Sequence, residues 1–183
     1  MKKVIFIFAV AALTAGASGA DEIYAAVSDC TDEEPANISS GLQLNAFWTS
    51  ADTLGGGAIY SIQSDDGNYY DRPNLNHETW VWIMVQVACS DYTGHIIDWE
   101  GVTDAYASYG MEVYAWNNET ENFDYMDEGP KTWWTAHREF GLRKSYFVYD
   151  STIQKYIALI LIQGHTVFGK WAMYIDMANI EDQ

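Results

Sequence analysis

The chain has 183 residues, with 26 acidic residues against 9 basic ones and a formal net charge of −17 at pH 7. Nucleic acid and anionic lipid repel so acidic a chain, which excludes nucleic-acid binding. The length suits one domain with a real hydrophobic core and is too short for two ordinary domains. With 8 Trp and 13 Tyr, the chain also carries more aromatic residues than one core of this size needs.

The first twenty residues have the pattern of a secretory signal peptide. Lys2 and Lys3 precede an apolar run at residues 4–13, and Ser18-Gly19-Ala20 offers a cleavage site made of small residues. The apolar run is shorter than the roughly 20 residues that a membrane-spanning helix needs. We therefore predict a signal peptide at 1–20, a mature chain at 21–183 and an extracellular location.

Short apolar runs separated by turn residues occupy the rest of the chain. Two short helices are predicted, at residues 101–108 and 135–140. Many short strands without long helices between them are typical of an all-β, single-domain β-sandwich with one or two short helices, here spanning residues 21–183. The predicted strands are residues 22–27, 42–48, 58–63, 69–70, 80–89, 95–99, 111–116, 123–126, 145–149, 156–163 and 170–177.

Residues 80–89 form the strongest of these patterns and are predicted to be the central strand. Alternation places an aliphatic set on one face, namely Val81, Ile83, Val85, Val87 and Cys89. The opposite face runs from aromatic to polar, through Trp80, Trp82, Met84, Gln86 and Ala88. Trp80 and Trp82 fit two interpretations equally well, core filling or an exposed aromatic contact.

Export would place the two cysteines, Cys30 and Cys89, in an oxidising compartment. Two cysteines allow a single intrachain pairing, so we predict a disulfide between them. It would close a loop of about 60 residues, worth ~4 kcal/mol in the chain-entropy model.

The sequence shows no catalytic constellation. The four histidines are widely spaced without a metal-ligand pattern, and no G-x-S-x-G elbow is present. Asp98 and Glu100 are compatible with glycoside hydrolysis, but such pairs are common in acidic proteins. We predict that the protein is not an enzyme and needs no metal or cofactor.

Aromatic residues outside the central strand form a second candidate contact. Trp133 and Trp134 lie in a locally basic stretch, residues 131–144. Trp and Tyr rings suit a membrane interface, and the same rings stack on sugars. The alternative is a partly buried connection packed against the sandwich.

Several short motifs resemble the thermostable direct haemolysin family of secreted pore-forming toxins. Asp21-Glu22-Ile23 opens the predicted mature chain, and Phe47-Trp48-Thr49 follows at nearly the family distance. Trp80-Val81 begins the central strand and Asp91-Tyr92-Thr93 follows it. Trp80 and Val81 match a pair that is implicated in the family's lytic activity.

The resemblance implies an actinoporin-like β-sandwich that assembles as a homo-oligomer, a tetramer in the family, and disrupts host membranes. The leading hypothesis is a secreted, non-enzymatic toxin that contacts membrane lipid or glycolipid through Trp80, Val81, Trp82, Trp133 and Trp134. Residues 50–57 lack the basic side chains that the family has after Phe-Trp-Thr. In the family an Arg at this place helps to join the subunits of the tetramer, so the sequence does not support a tetramer built through the same contact. The runner-up is a carbohydrate-binding module with an aromatic sugar-stacking face, and the third is a hydrolase using Asp98 and Glu100.

Overall fold

The computed structural model describes residues 22–56, 62, 69–73, 79–92, 95–103, 111–128, 136–165 and 172–182. The signal peptide predicted at 1–20 lies outside these ranges. One α-helix, α1, spans Gly41–Ser50 in this part of the chain. The strands are β1 Glu22–Thr31, β2 Asp52–Thr53, β3 Tyr70–Pro73, β4 Trp80–Cys89, β5 His95–Thr103, β6 Met111–Asn117, β7 Asn122–Glu128, β8 Ala136–Gly141, β9 Val148–Asp150, β10 Lys155–His165 and β11 Ala172–Asp182.

Two antiparallel sheets contain all of these strands. The larger sheet has the order β2-β1-β4-β10-β6-β7, and β9 pairs with the start of β10. The smaller sheet has the order β3-β11-β5-β8. β4 lies between β1 and β10 and pairs with them along nearly its whole length, which confirms it as a central strand.

The inner face of the larger sheet packs against the smaller sheet and forms the main core. Val81, Ile83, Val85, Val87 and Cys89 all belong to this cluster, as the alternation predicted. From the smaller sheet, Met173 is fully buried in the same cluster. The hydroxyls of Ser28 on β1 and Tyr70 on β3 also form a hydrogen bond of 2.9 Å between the sheets. The protein is therefore a β-sandwich.

The outer face of the larger sheet carries a second apolar cluster. Its strand residues include Trp82, Met84 and Leu161, and Leu44 and Trp48 of α1 pack against them. The segment 33–38, with a 3-10 turn at Pro35–Asn37, precedes α1. Gln163 of β10 binds residues of this segment. We call residues 33–51 the cover, because they close the outer face.

The prediction of a strand at residues 42–48 is wrong, because these residues belong to α1. The hydroxyl of Ser40 accepts a hydrogen bond of 3.2 Å from the backbone N–H of Gln43, and Gln43 Oε1 accepts one of 3.1 Å from the N–H of Ser39. These two bonds, close to those of a capping box, start the helix. Leu44 and Trp48, four residues apart, then face the sheet together, while Leu42 is 73% exposed.

The two predicted helices are also wrong where the structure describes them. Residues 101–103 continue β5, and the remainder of that prediction, 104–108, lies outside the described residues. Residues 136–140 belong to β8, which pairs with β5 from Ile96 opposite Gly141 to Gly101 opposite Ala136. Strand pairing thus overrides the weak local preference for helix.

The predicted disulfide is not formed. Cys30 on β1 lies opposite Val81 at the start of β4, whereas Cys89 ends that strand. Eight residues at about 3.4 Å each separate the two positions by about 27 Å along the sheet. A disulfide needs Cα atoms within about 7 Å, so the paired strands exclude this bond.

Candidate functional site

The structure separates the three contact residues that the sequence places on the central strand. Val81 is fully buried on the inner face, and Trp82 is 1% exposed on the outer face. Trp80 is partly buried at the start of β4. Trp133 and Trp134 lie outside the described residues. Surface contact by Val81 and Trp82 in this folded state is therefore corrected to burial, and Trp80 remains accessible.

Trp82 is buried because the cover lies over it. The ring of Phe47 in α1 packs on the Trp82 ring with centroids 4.5 Å apart and planes at 35°. The indole Nε1 of Trp82 has no hydrogen-bond partner among the described residues. The same is true of Oε1 of Gln86, which lies four residues further along β4 on the same face. A buried polar group without a partner costs about 1–3 kcal/mol. Closure of the outer face therefore carries this cost at Trp82 and Gln86.

Trp80 has a different environment at the end of the sheet. Its ring packs on that of His165, with centroids 4.8 Å apart and planes at 36°. The two residues are direct partners in the register between β4 and β10. Cross-strand ring pairs of this kind stabilise the sheet end and hold the Trp80 ring in one orientation.

A polar cluster centred on Gln163 attaches the cover to the sheet. The Gln163 side chain is fully buried, and its Oε1 accepts a hydrogen bond of 3.0 Å from the N–H of Ala36. Its Nε2 donates to Glu34 Oε1 at 3.1 Å and to Glu112 Oε2 at 3.0 Å. One amide therefore joins the cover to β10 and β6.

Tyr114 extends the same cluster along β6. Its hydroxyl donates to Glu112 Oε2 at 2.9 Å. Burial is the main cause that raises the pKa of the Tyr114 hydroxyl well above its ordinary range, and the hydrogen bond to Glu112 raises it further. Tyr114 thus stays protonated and keeps donating at any physiological pH.

An open groove runs between residues 33–38 and α1. It encloses about 570 Å³, a volume within the range of small-molecule sites. Its lining combines apolar and polar side chains, including Glu33, Glu34, Asn37, Ile38, Gln43 and Phe47.

The described residues bring together no recognisable catalytic set. No group of three or more His, Cys, Asp or Glu side chains among them is placed to hold a metal ion. The two carboxylates nearest each other in the cluster, Glu34 and Glu112, are both occupied as acceptors of one amide. Asp98 and Glu100 lie on β5, and their side chains are outside what the structure describes. The hydrolase alternative stays a prediction.

Sequence reasoning missed Gln163 and the groove. A signal for Gln163 existed, because a glutamine that follows an aliphatic run in a central strand needs a buried hydrogen-bond partner. The signal for α1 was the S-x-x-Q pattern at Ser40–Gln43. Nothing local indicated that Glu34 and Ala36 are the partners of a residue more than 120 positions away.

No protein-family model matches the chain, and no curated protein matches it. Six solved chains match. One comes from a study of the structural basis for the promiscuous specificity of carbohydrate-binding modules from the β-sandwich superfamily. The match covers 64% of this chain and 58% of that chain, at 10% identity and a TM-score of 0.36. A similarity this distant carries no argument about function, and the haemolysin resemblance stays a prediction.

Proposed function

We propose that the protein is a secreted, non-enzymatic, membrane-active toxin of the haemolysin type. The observation that carries this proposal is the composition of the cover. Residues 35–51 contain no charged side chain, in a chain of net charge −17. A strongly acidic protein is repelled by anionic membranes over most of its surface, so an uncharged segment is where it can approach lipid.

Leu42 gives this uncharged segment an apolar contact. It is 73% exposed on α1, and moving a leucine side chain out of water is worth about 1.5–3 kcal/mol. One leucine does not hold a protein on a membrane, so a stable contact requires more apolar area. The outer face beneath the cover is the nearest source.

Movement of α1 away from the sheet would supply that area. Trp82, Met84 and Leu161 are buried under the cover and would become available to lipid. The indole N–H of Trp82, for which the described residues offer no hydrogen-bond partner, would find one at the membrane–water interface, where Trp is favoured. Lytic contact by Trp82 is then compatible with its burial in the soluble state.

No helix in the described part of the chain is long and apolar enough to cross a bilayer. The first step of the proposal is interfacial binding of the cover. The runner-up is a carbohydrate-binding module with a stacking face of aromatic rings, and Trp82 cannot belong to that face in the folded state, because its ring is covered.

The test is haemoglobin release from red cells, together with dye release from phosphatidylcholine vesicles, by residues 21–183. We expect Leu42→Asp to reduce release at least about tenfold, since it removes the apolar contact and adds a charge that is costly to move out of water. Tyr149→Asp is the matched control, because Tyr149 is 49% exposed on β9, outside the cover. Circular dichroism checks that both variants fold.

Absence of release from both targets would contradict the proposal. Equal release by Leu42→Asp and Tyr149→Asp would show that the cover is not the contact. Release that depends on anionic lipid and disappears in salt would also contradict it, because the uncharged segment has no means of such binding.

A further inference from the structure

The groove between residues 33–38 and α1 has a mixed lining that matches one class of ligand. Ile38, Ala46 and Phe47 provide an apolar wall. Glu33, Glu34, Asn37 and Gln43 provide carboxylate and amide groups in the same groove. A concave site with an aromatic ring and a few polar groups is the usual form of a small-molecule site.

Hydrogen bonds already orient three of these polar groups, those of Glu34, Asn37 and Gln43. Glu34 accepts from Gln163 through Oε1 and from Asn37 Nδ2 through Oε2, at 3.1 Å each. Gln43 Oε1 accepts from the N–H of Ser39. Among the described residues, this leaves Asn37 Oδ1, Gln43 Nε2 and the Glu33 carboxylate without a hydrogen-bond partner. Groups held in place before binding lose less entropy when a ligand arrives.

The charge of the groove selects the ligand. None of its lining residues is Lys, Arg or His, and two are carboxylates, so an anionic ligand is repelled. A lipid chain is disfavoured, since it would desolvate the carboxylates without pairing them. A polyol satisfies every group, because its hydroxyls donate to carboxylate and amide oxygens and accept from an amide NH₂.

We infer that this groove binds a neutral sugar, whose C–H face packs on Phe47 and whose hydroxyls bind Glu33, Asn37 and Gln43. The inference that the groove is a receptor site for a membrane glycolipid rests on the proposed function, because the groove is lined by α1, the helix that carries the proposed lipid contact Leu42. The inference that it binds free sugar does not depend on that function. Burial of the groove against a neutral headgroup would bring the uncharged segment, residues 35–51, to the membrane surface.

The test is titration of residues 21–183 with lactose, with maltose, and with sialyllactose as the anionic comparison. We expect binding of a neutral disaccharide with Kd on the order of 1 mM, and much weaker binding of sialyllactose. Ala46→Leu narrows the groove at an exposed helix position, and Glu33→Ala removes an exposed acceptor; each should weaken binding about tenfold. Thr49→Leu is the matched control on α1, outside the groove lining, and should bind as wild type does.

Lack of binding by every neutral probe, or equal binding by wild type and Ala46→Leu, would overturn the inference. Binding of choline in place of sugar would overturn it too. Lactosylceramide in phosphatidylcholine vesicles distinguishes a glycolipid receptor from a free-sugar site, because only the first raises dye release. If lactose binds and no membrane is disrupted, the site stands and the proposed function fails; release without sugar binding gives the reverse.

Discussion

The two faces of the larger sheet are built from the same strands and are closed in different ways. On the inner face, Ile83, Val85 and their neighbours pack against a second sheet in one continuous apolar cluster. On the outer face, a single helix and a short polar segment cover Trp82 and Met84. Gln163 attaches this cover, while the Trp82 indole N–H and Gln86 Oε1 are buried there without a hydrogen-bond partner in the described part of the chain.

The difference indicates a division of roles. A close-packed apolar core such as the inner face resists local opening. Among the described residues, the outer face holds two orphan polar groups, and its cover is attached by one buried amide and by the packing of Leu44 and Trp48 of a single helix. We therefore expect the cover to open at lower free energy than the inner face. The proposed membrane contact requires such an opening.

The largest expected effect is the loss of stability when a core side chain is truncated, and this loss should differ between the two faces. Ile83→Ala and Met84→Ala each remove a fully buried side chain from β4, one on each face. We expect losses of about 4 kcal/mol for Ile83→Ala and about 2 kcal/mol for Met84→Ala, because the cover can settle into the space left under it. Urea unfolding of both variants measures this. Equal losses would mean that the cover is as rigid as the second sheet.

The two buried glutamines provide a second comparison. Gln163→Leu should cost about 2–3 kcal/mol, because it removes three hydrogen bonds and leaves Glu34 and Glu112 with fewer donors. Gln86→Leu should be neutral or stabilising, because Oε1 of this glutamine has no hydrogen-bond partner among the residues that the structure describes. Thermal unfolding reports both. A stabilised Gln163→Leu would show that the amide does not attach the cover.

Loss of the helix cap should destabilise the cover alone. Ser40→Ala removes the hydroxyl that accepts from the Gln43 N–H, at a cost of about 1 kcal/mol. Ser50→Ala is the control, because its hydroxyl bonds only the preceding turn, at Phe47 O. Limited proteolysis should cut within residues 33–51 faster in Ser40→Ala than in Ser50→Ala. Similar rates in the two would argue against a separately opening cover.

The smallest effect concerns alkaline pH. The folded protein raises the pKa of Tyr114, so the unfolded chain ionises first, from about pH 10 upward. The stability that Tyr114 contributes is complete below pH 10 and is lost as the pH rises toward the folded value. Stability above pH 10 should therefore fall less steeply in Tyr114→Phe than in wild type. An identical slope in pH-dependent urea unfolding would contradict the buried hydrogen bond to Glu112.

The alternation of β4 was enough to predict both faces of the central strand. At residues 42–48 the alternation led to the wrong prediction. Leu42, Leu44, Ala46 and Trp48 fit the period of two of a strand, but Leu44 and Trp48 also fit one side of a helix. The capping by Ser40 and Gln43 decides that case, and it is a local signal that sequence analysis can read. β8 was predicted as a helix for another reason, because its strand conformation depends on pairing with β5.

The candidate site was less predictable than the fold. Trp80 and Trp82 were identified as a pair, yet only the packing of Phe47 and His165 determines which ring is covered. The groove forms between segments whose relative position depends on Gln163, and a contact across more than 120 residues has no local signature. The predicted disulfide failed for the same reason, because its geometry depends on strand register.

Hydrogen exchange of residues 21–183, with and without phosphatidylcholine vesicles, tests most directly whether the cover is the layer that opens. We predict that amides of α1 exchange with an opening free energy several kcal/mol below that of β4 and β10. Vesicles should change the exchange of α1 before that of the strands. Exchange of α1 together with β4 at the global unfolding rate, unchanged by vesicles, would contradict the account.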